Sequence, residues 1–184
     1  GVILFYLELH GATKDKHFLD EAVRGATELA TVVPSVGSKA REAGLYEGIA
    51  GHMFTLHAVA NASGRADLMT AAKRAARVLA DSAQPAPGGG VRWSVVTDII
   101  GGSAGIGLAL LAARDLLGDE SISLARKTGD ALLARAEPMG EGKRRWMMDD
   151  SFPREMPNFS HGTAGVAYFL ATLGARSGER THVD

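Results

Sequence analysis

Few side chains in this chain have the chemistry of nucleophiles, metal ligands or proton donors. The 184 residues contain no cysteine, which excludes disulfides, thiolate nucleophiles and any zinc site that takes cysteine from within the chain. No two histidines have a spacing that places both on one helix face with a carboxylate between them; the histidines are His10, His17, His52, His57, His161 and His182. Asp149 and Asp150 are adjacent but lie in a predicted loop, which gives weak support to paired-carboxylate chemistry.

Composition and charge narrow the classes of partner. The apolar fraction of 46% and the charged fraction of 22% are typical of a packed globular protein. A net charge of −1, from 20 basic and 21 acidic residues, leaves no basic surplus for a phosphate backbone or an anionic bilayer, so neither nucleic acid nor membrane is expected as a partner. No apolar run reaches the length of a membrane span and the start lacks a signal-peptide pattern, so we expect a cytoplasmic protein.

A repeated tetrapeptide gives the strongest sign of architecture. Gly-x-Ala-Gly occurs three times, beginning at Gly48, Gly102 and Gly162, with spacings of 54 and 60 residues. Each copy precedes an apolar helix, a short polar break and an amphipathic helix. The pattern predicts an all-α fold of helical hairpins, with helices over 2–7, 17–30, 53–60, 67–80, 106–117, 121–136 and 166–173 and breaks at 61–64, 118–119 and 174–178.

The segments between hairpins are predicted to be loops, over 33–43, 83–97 and 137–158. They contain all six prolines, and short strands are predicted only at 90–95 and 144–148. Trp93 and Trp146 lie in these loops, either as contacts for a substrate or as anchoring aromatics. Because the chain opens in an apolar run and 179–184 has the character of a first helical turn, we expect both ends to be cut within repeats.

The motif glycines remove side-chain bulk where a helix begins. Another backbone can then approach closely, and we expect the first-turn N–H groups to stay accessible. Three such starts at the same point of each repeat indicate helix ends that converge on a common centre, as in a closed ring of hairpins. The alternative is that the glycines only allow helices to pack.

Three stretches together resemble the successive motifs of the lanthionine synthetase C-like family. They are Gly-Leu-Tyr-Glu-Gly-Ile-Ala-Gly at 44–51, Asp-Ile-Ile-Gly-Gly-Ser-Ala-Gly at 98–105 and Asn-Phe-Ser-His-Gly-Thr-Ala-Gly at 158–165. The resemblance spans essentially the whole chain. It implies an α,α-toroid with the motif helices inside, of which residues 1–184 would form a partial domain of three to four hairpin repeats.

The resemblance also implies an activity. A cysteine thiol of a dehydrated precursor peptide would add to dehydroalanine or dehydrobutyrine to form a thioether ring, with zinc lowering the thiol pKa and an acid protonating the enolate. The family's zinc ligands are two cysteines and a histidine from later motifs, which do not occur here. We therefore expect zinc in a missing C-terminal half, no metal within this chain, and activity in the parent protein but not in this stretch alone.

Residue by residue, the resemblance assigns His161 as the general acid or base and Asp98 as its partner. A histidine suits proton transfer near neutral pH, and an aspartate can orient it. The alternatives are a helix N-terminal histidine bonded to backbone, and an aspartate that caps a helix. The residues predicted to line the substrate cavity are Tyr46, Glu47, Gly48, Gly51, Gly102, Gly105, Gly162 and Gly165.

Other functions remain open at this point. Ser160-His161 can be interpreted as a zinc-ligand pair that has lost its cysteine, which would make the protein an inactive relative. A carbohydrate-active α,α-toroid enzyme would need paired carboxylates in its cavity. A non-catalytic helical-repeat scaffold would bind peptides in its concave surface, with purely structural glycines.

Overall fold

The regular secondary structure of the chain is mainly α-helical. The structure, a computed structural model, describes residues 1–149, 151–152, 154–178 and 180–182. Within these residues the α-helices are α1 (Val2–Thr13), α2 (Lys16–Thr31), α3 (Ile49–Ser63), α4 (Ala66–Asp81), α5 (Ser103–Ala112), α6 (Arg114–Leu117), α7 (Asp119–Leu133) and α8 (Thr163–Ser177). One-turn 3₁₀ helices occur at Pro87–Gly89 and Arg180–His182.

The helices pack as hairpins arranged in two rows. α1 pairs with α2, α3 with α4, and α5 with α7. The first helices of the hairpins contact one another in the order α1, α3, α5 and α8, whereas α2, α4 and α7 form the other row, with α6 contacting both α4 and α7. This two-row arrangement is that of an α,α-toroid, so the predicted all-α fold class is confirmed.

The two rows differ in how their helices are buried. In α4 the apolar residues at i, i+3 and i+4 spacing are all buried, as the periodicity predicts: Leu68, Ala71, Ala72, Ala75, Val78 and Leu79. α5 carries almost no polar side chain and buries both faces between α7 and α8. Gly107 allows this close packing, because a Cβ there would overlap the ring of Phe169 on α8.

Each of two interhelical loops contains a small antiparallel β-hairpin and a tryptophan. β1 (Gln84–Pro85) pairs with β2 (Val91–Arg92), and β3 (Glu137–Pro138) pairs with β4 (Arg144–Arg145). The strands β2 and β4 lie within predicted strands, whereas β1 and β3 were not predicted. The indole of Trp93 donates to Leu79 O and that of Trp146 to Leu132 O, both at 2.7 Å. Both tryptophans therefore anchor their loops to the last turn of the preceding helix.

Several predicted boundaries were wrong. α3 and α8 begin inside their motifs and are longer than predicted, because the motif glycine is the N-cap and the helix starts at the next residue. The predicted break over 174–178 lies within α8, which continues to Ser177 and ends at Gly178 in the left-handed region (φ 74°). The predicted helix over 106–117 is two helices, since Ala113 N–H bonds to Leu110 O and closes α5 early. Of the predicted turn over 179–184, Glu179, Val183 and Asp184 lie outside the described residues.

Candidate active site at the starts of the motif helices

The loop before each motif folds back over the start of its helix. The first helical N–H donates to a carbonyl seven residues earlier in each repeat: Ile49 to Glu42 O at 3.0 Å, Ser103 to Val96 O at 3.0 Å, and Thr163 to Met156 O at 2.9 Å. In the first two repeats the next two N–H groups are bonded in the same way. The expectation that first-turn N–H groups stay accessible is therefore wrong, because the preceding loop satisfies them.

The second glycine of each motif is needed for this close approach. A Cβ on Gly51, Gly105 or Gly165 would overlap the carbonyl oxygen six residues earlier in the same loop. The motif glycines thus pack helix starts against their own loops, which is the structural role that the sequence left open.

The three loops also bond to one another, and so bring residues of different repeats together. Tyr46 N–H donates to Ile100 O at 3.1 Å, and Ile99 N–H donates to Ser160 O at 3.2 Å. The first loop is therefore tied to the second and the second to the third. The helix starts of neighbouring repeats therefore lie side by side, and their convergence on a common centre stays a prediction.

Asp98 and His161 meet where the second and third loops join. His161 Nδ1 lies 2.7 Å from Asp98 Oδ2, across 63 residues of sequence. The Asp98 side chain is 3% exposed, whereas that of His161 is 41% exposed. A buried carboxylate that holds a solvent-accessible imidazole is an arrangement suited to proton transfer.

Further hydrogen bonds within their own loops fix both members of this pair. Asp98 Oδ1 accepts the N–H groups of Gly101 and Gly102, each at 3.0 Å. The N–H of His161 donates to Asn158 Oδ1 at 2.8 Å. Asp98 does not cap α5, whose N-cap is Gly102; instead it closes the loop before it. The catalytic role of the two residues stays a prediction.

A cavity of about 610 Å³ opens between the first helices of the hairpins. It is lined mainly by apolar residues of α1, α3, α5 and α8. Tyr46, Gly48 and Gly51 are among its lining residues, whereas Glu47 and the glycines at 102, 105, 162 and 165 are not. Those four glycines pack against loop backbone at the helix starts instead.

His52 lies in the cavity wall one residue after the first motif. Burial lowers the pKa of its imidazole, and its Nδ1 is buried without a hydrogen-bond partner among the described residues. The sequence distinguishes His52 only as one of six histidines. Its position on an apolar helix gives no sequence signal of its place in the cavity.

A comparison with sequence models of protein families decides the family. The model described as lanthionine synthetase C-like protein matches residues 1–184, the whole chain. The chain belongs to this family. The resemblance based on the three motifs is thereby confirmed, and membership supports a lanthionine synthetase-like role in general terms. A search of curated proteins finds no match.

The described residues of this lanthionine synthetase C-like chain do not fit the zinc ion that the family implies. Over the described residues, no three His, Cys, Asp or Glu side chains are placed to hold one ion. The Asp98–His161 pair is poorly suited to bind zinc, because Asp98 Oδ1 already accepts two N–H groups. The sequence also has no cysteine to complete a ligand set. We derive no chemical step through zinc.

In the part of the chain that the structure describes, no helix combines the length and the apolar character needed to cross a bilayer.

Proposed function

We propose that the protein carrying this chain forms thioether rings in a dehydrated precursor peptide. A cysteine thiol of the peptide adds to dehydroalanine or dehydrobutyrine, and Asp98 with His161 moves the proton. The observation that carries the proposal is the 2.7 Å contact between His161 Nδ1 and Asp98 Oδ2, formed by two motif loops of a lanthionine synthetase C-like chain. Family membership supports the general role, and the geometry supports the proton transfer.

The proposed reaction adds S–H across a carbon–carbon double bond. Sulfur bonds to the β-carbon of the dehydro residue, and the electron pair of the double bond moves to the α-carbon as an enolate. A proton then goes to the α-carbon. Since a carboxylate can only accept a hydrogen bond, we assign the imidazole proton to Nδ1, which leaves Nε2 to take the thiol proton and return it to the α-carbon. The addition is neutral overall.

The experiment follows the free thiol, because ring closure does not change the mass of the peptide. The full-length gene product is incubated with a dehydrated peptide that has one cysteine, and the remaining thiol is alkylated with N-ethylmaleimide and counted by mass spectrometry. His161→Ala is expected to slow thiol loss by about 10²- to 10⁴-fold, since it removes the proton-transfer group.

His17→Ala is the matched control, because His17 is an exposed histidine on α2 and is expected to leave the rate unchanged. An unchanged rate in His161→Ala would overturn the assignment of the proton-transfer pair. Full retention of the thiol by the wild-type protein, with the peptide bound, would favour the peptide-binding scaffold, which the apolar cavity also supports.

The carbohydrate-active alternative gains no support from the described carboxylates. Asp98 is occupied by Gly101, Gly102 and His161. Asp149 accepts the N–H and the hydroxyl of Ser151, bonds that lower the pKa of its carboxyl group. Asp150 lies outside the described residues.

A further inference from the structure

The cavity between the motif helices has an uneven charge. Of the side chains that line it among the described residues, Arg176 alone carries a permanent charge, and none is a carboxylate. Burial lowers the pKa of the His52 imidazole, which disfavours its positively charged form. The cavity therefore presents one guanidinium group on otherwise apolar or neutral walls.

Arg176, like Arg74, has a backbone carbonyl and no carboxylate as its hydrogen-bond partner among the described residues. Its Nη1 donates to Leu111 O at 3.2 Å, and among the described residues it forms no ion pair. By contrast, Arg77 bonds to both carboxylate oxygens of Glu120, and Arg65 to both of Asp67. A guanidinium group has five N–H donors in a planar fork that matches a carboxylate, so Arg176 keeps donors for a ligand.

An aromatic pair joins the cavity to the loop that carries His161. Tyr168 lines the cavity and is 53% exposed, and its ring lies 5.4 Å from that of Phe159 in an edge-on arrangement. Phe159 is 48% exposed and precedes His161 by two residues. A ligand that extends from the cavity over this pair reaches the residues next to the proton-transfer pair.

We propose that this cavity selects a substrate peptide segment that is apolar apart from one acidic side chain, whose carboxylate binds Arg176. The inference rests on the proposed function, because it names the chemistry of the peptide on which that function acts. A carboxylate on the exposed Arg176 gains a charge-assisted hydrogen bond, while the apolar part of the segment packs on the apolar walls of the cavity. A lysine or arginine at the same place is rejected by like charge. The volume of about 610 Å³ is in the range of sites that bury a compact ligand.

The test is a double-mutant cycle between the protein and the peptide. Binding of the full-length protein to a short fluorescein-labelled peptide with one glutamate, leucines and one cysteine is measured by fluorescence anisotropy, beside the same peptide with glutamine for glutamate. The wild-type protein is expected to bind the glutamate peptide about ten-fold more tightly. Arg176→Gln is expected to bind both peptides with equal, weaker affinity, and Arg176→Lys to keep part of the preference.

Arg114→Gln is the matched control, since Arg114 is an exposed arginine of α6 outside the cavity wall and pairs with Asp119. It is expected to keep the ten-fold preference. Equal binding of the two peptides by the wild-type protein would overturn the inference. This outcome is measured without any variant, so it does not depend on whether a variant folds. A preference that survives in Arg176→Gln, with the fold checked by circular dichroism, would overturn it as well.

The outcome is separable from that of the proposed function. Binding preference is measured without ring closure, and ring closure is measured as loss of the free thiol. A preference for glutamate without thiol loss would overturn the cyclase proposal and keep the acidic-peptide site. Thiol loss without any preference for glutamate would overturn the acidic-peptide site and keep the cyclase proposal.

Discussion

Asp98 is the residue on which the candidate site depends most. One carboxylate oxygen binds two N–H groups of its own loop, and the other binds a histidine of the next repeat. The side chain is almost fully buried, so its negative charge is stabilised by these hydrogen bonds instead of by water. The same group thus fixes a loop and orients the imidazole.

Substitution of Asp98 separates these two roles. Asp98→Asn keeps an oxygen for Gly101 and Gly102 but presents an amide N–H₂ donor to His161 Nδ1, which favours the wrong tautomer. Ring closure is expected to slow by at least about 10²-fold while the melting temperature changes little. Asp98→Ala leaves the loop N–H groups unpaired and is expected to cost about 2–3 kcal/mol of stability. Thiol alkylation and thermal unfolding measure the two effects.

Asp149→Asn serves as the control for this series. Asp149 also closes a loop, through Ser151 and Phe152, but its described hydrogen bonds include no histidine. It is expected to leave the rate of ring closure unchanged. Equal rates of ring closure for Asp98→Asn and Asp149→Asn would show that ring closure does not depend on the orientation of His161 by Asp98.

At the level of the helix, the motif glycines override ordinary helix propensity. Glycine in a helix is normally less favourable than alanine by about 0.5–1 kcal/mol. At Gly105, however, a Cβ would overlap Ile99 O and lie 3.1 Å from Leu45 Cβ. Whether a glycine-to-alanine change raises or lowers the free energy of unfolding therefore depends on whether loop backbone covers the helix start.

Gly105→Ala and Gly11→Ala are expected to have opposite effects. Gly105→Ala should lower the free energy of unfolding by about 2 kcal/mol or more, because backbone must shift to admit the methyl group. Gly11 lies in α1 with nothing within 4 Å of the added Cβ, so Gly11→Ala should raise it by about 0.5–1 kcal/mol. Urea unfolding at constant m-value measures both. Stabilisation by Gly105→Ala would contradict the close approach of the loop.

At the level of the whole molecule, neighbouring hairpins are joined through their second helices, which form the row α2, α4 and α7. Arg77 of α4 forms two hydrogen bonds of 2.8 Å with Glu120 of α7, and also pairs with Asp81 on its own helix. The hydrogen bond from Arg77 lowers the pKa of the Glu120 carboxyl group. Because both side chains are more than a third exposed, solvent screening limits the pair to about 1 kcal/mol or less.

The contribution of Glu120 should shrink in acid. A carboxyl group whose pKa is lowered by folding stabilises the protein above its unfolded pKa of about 4.3, and this stabilisation is lost as pH falls through the folded pKa. Wild-type protein should therefore melt at a slightly higher temperature than Glu120→Gln at pH 7, and by a smaller margin near pH 3. Glu8→Gln, at an exposed site on α1, should match wild type at both values. A difference that does not shrink in acid would contradict the ion-pair explanation.

Zinc content is a second prediction at this scale. Since the described residues offer no ligand set and the sequence has no cysteine, residues 1–184 are expected to bind no zinc. Following the family resemblance, the full-length gene product is expected to contain about one zinc per chain. Elemental analysis of both, after exchange into metal-free buffer, measures the difference. Stoichiometric zinc in the 184-residue chain would show that a ligand set was missed.

The sequence by itself determined the features that repeat locally. The repeated Gly-x-Ala-Gly motif predicted hairpins, and the apolar pattern of α4 predicted its buried face. The residues of the three motif stretches at 44–51, 98–105 and 158–165 provided the resemblance to the family. Such features depend on residues within a few turns of each other, so a single sequence contains them. Exact helix ends were less predictable, because caps and loop bonds decide them.

Only the tertiary structure decided how distant loops meet. The contact between Asp98 and His161 spans 63 residues, and the indole bonds of Trp93 and Trp146 span 14 residues each. The cavity with Arg176 in its wall is likewise formed by helices far apart in sequence. These contacts depend on packing and loop geometry, for which no local periodicity exists. The family resemblance could pair Asp98 with His161, but the contact itself, the indole bonds and the place of Arg176 in the cavity wall came only from the tertiary structure.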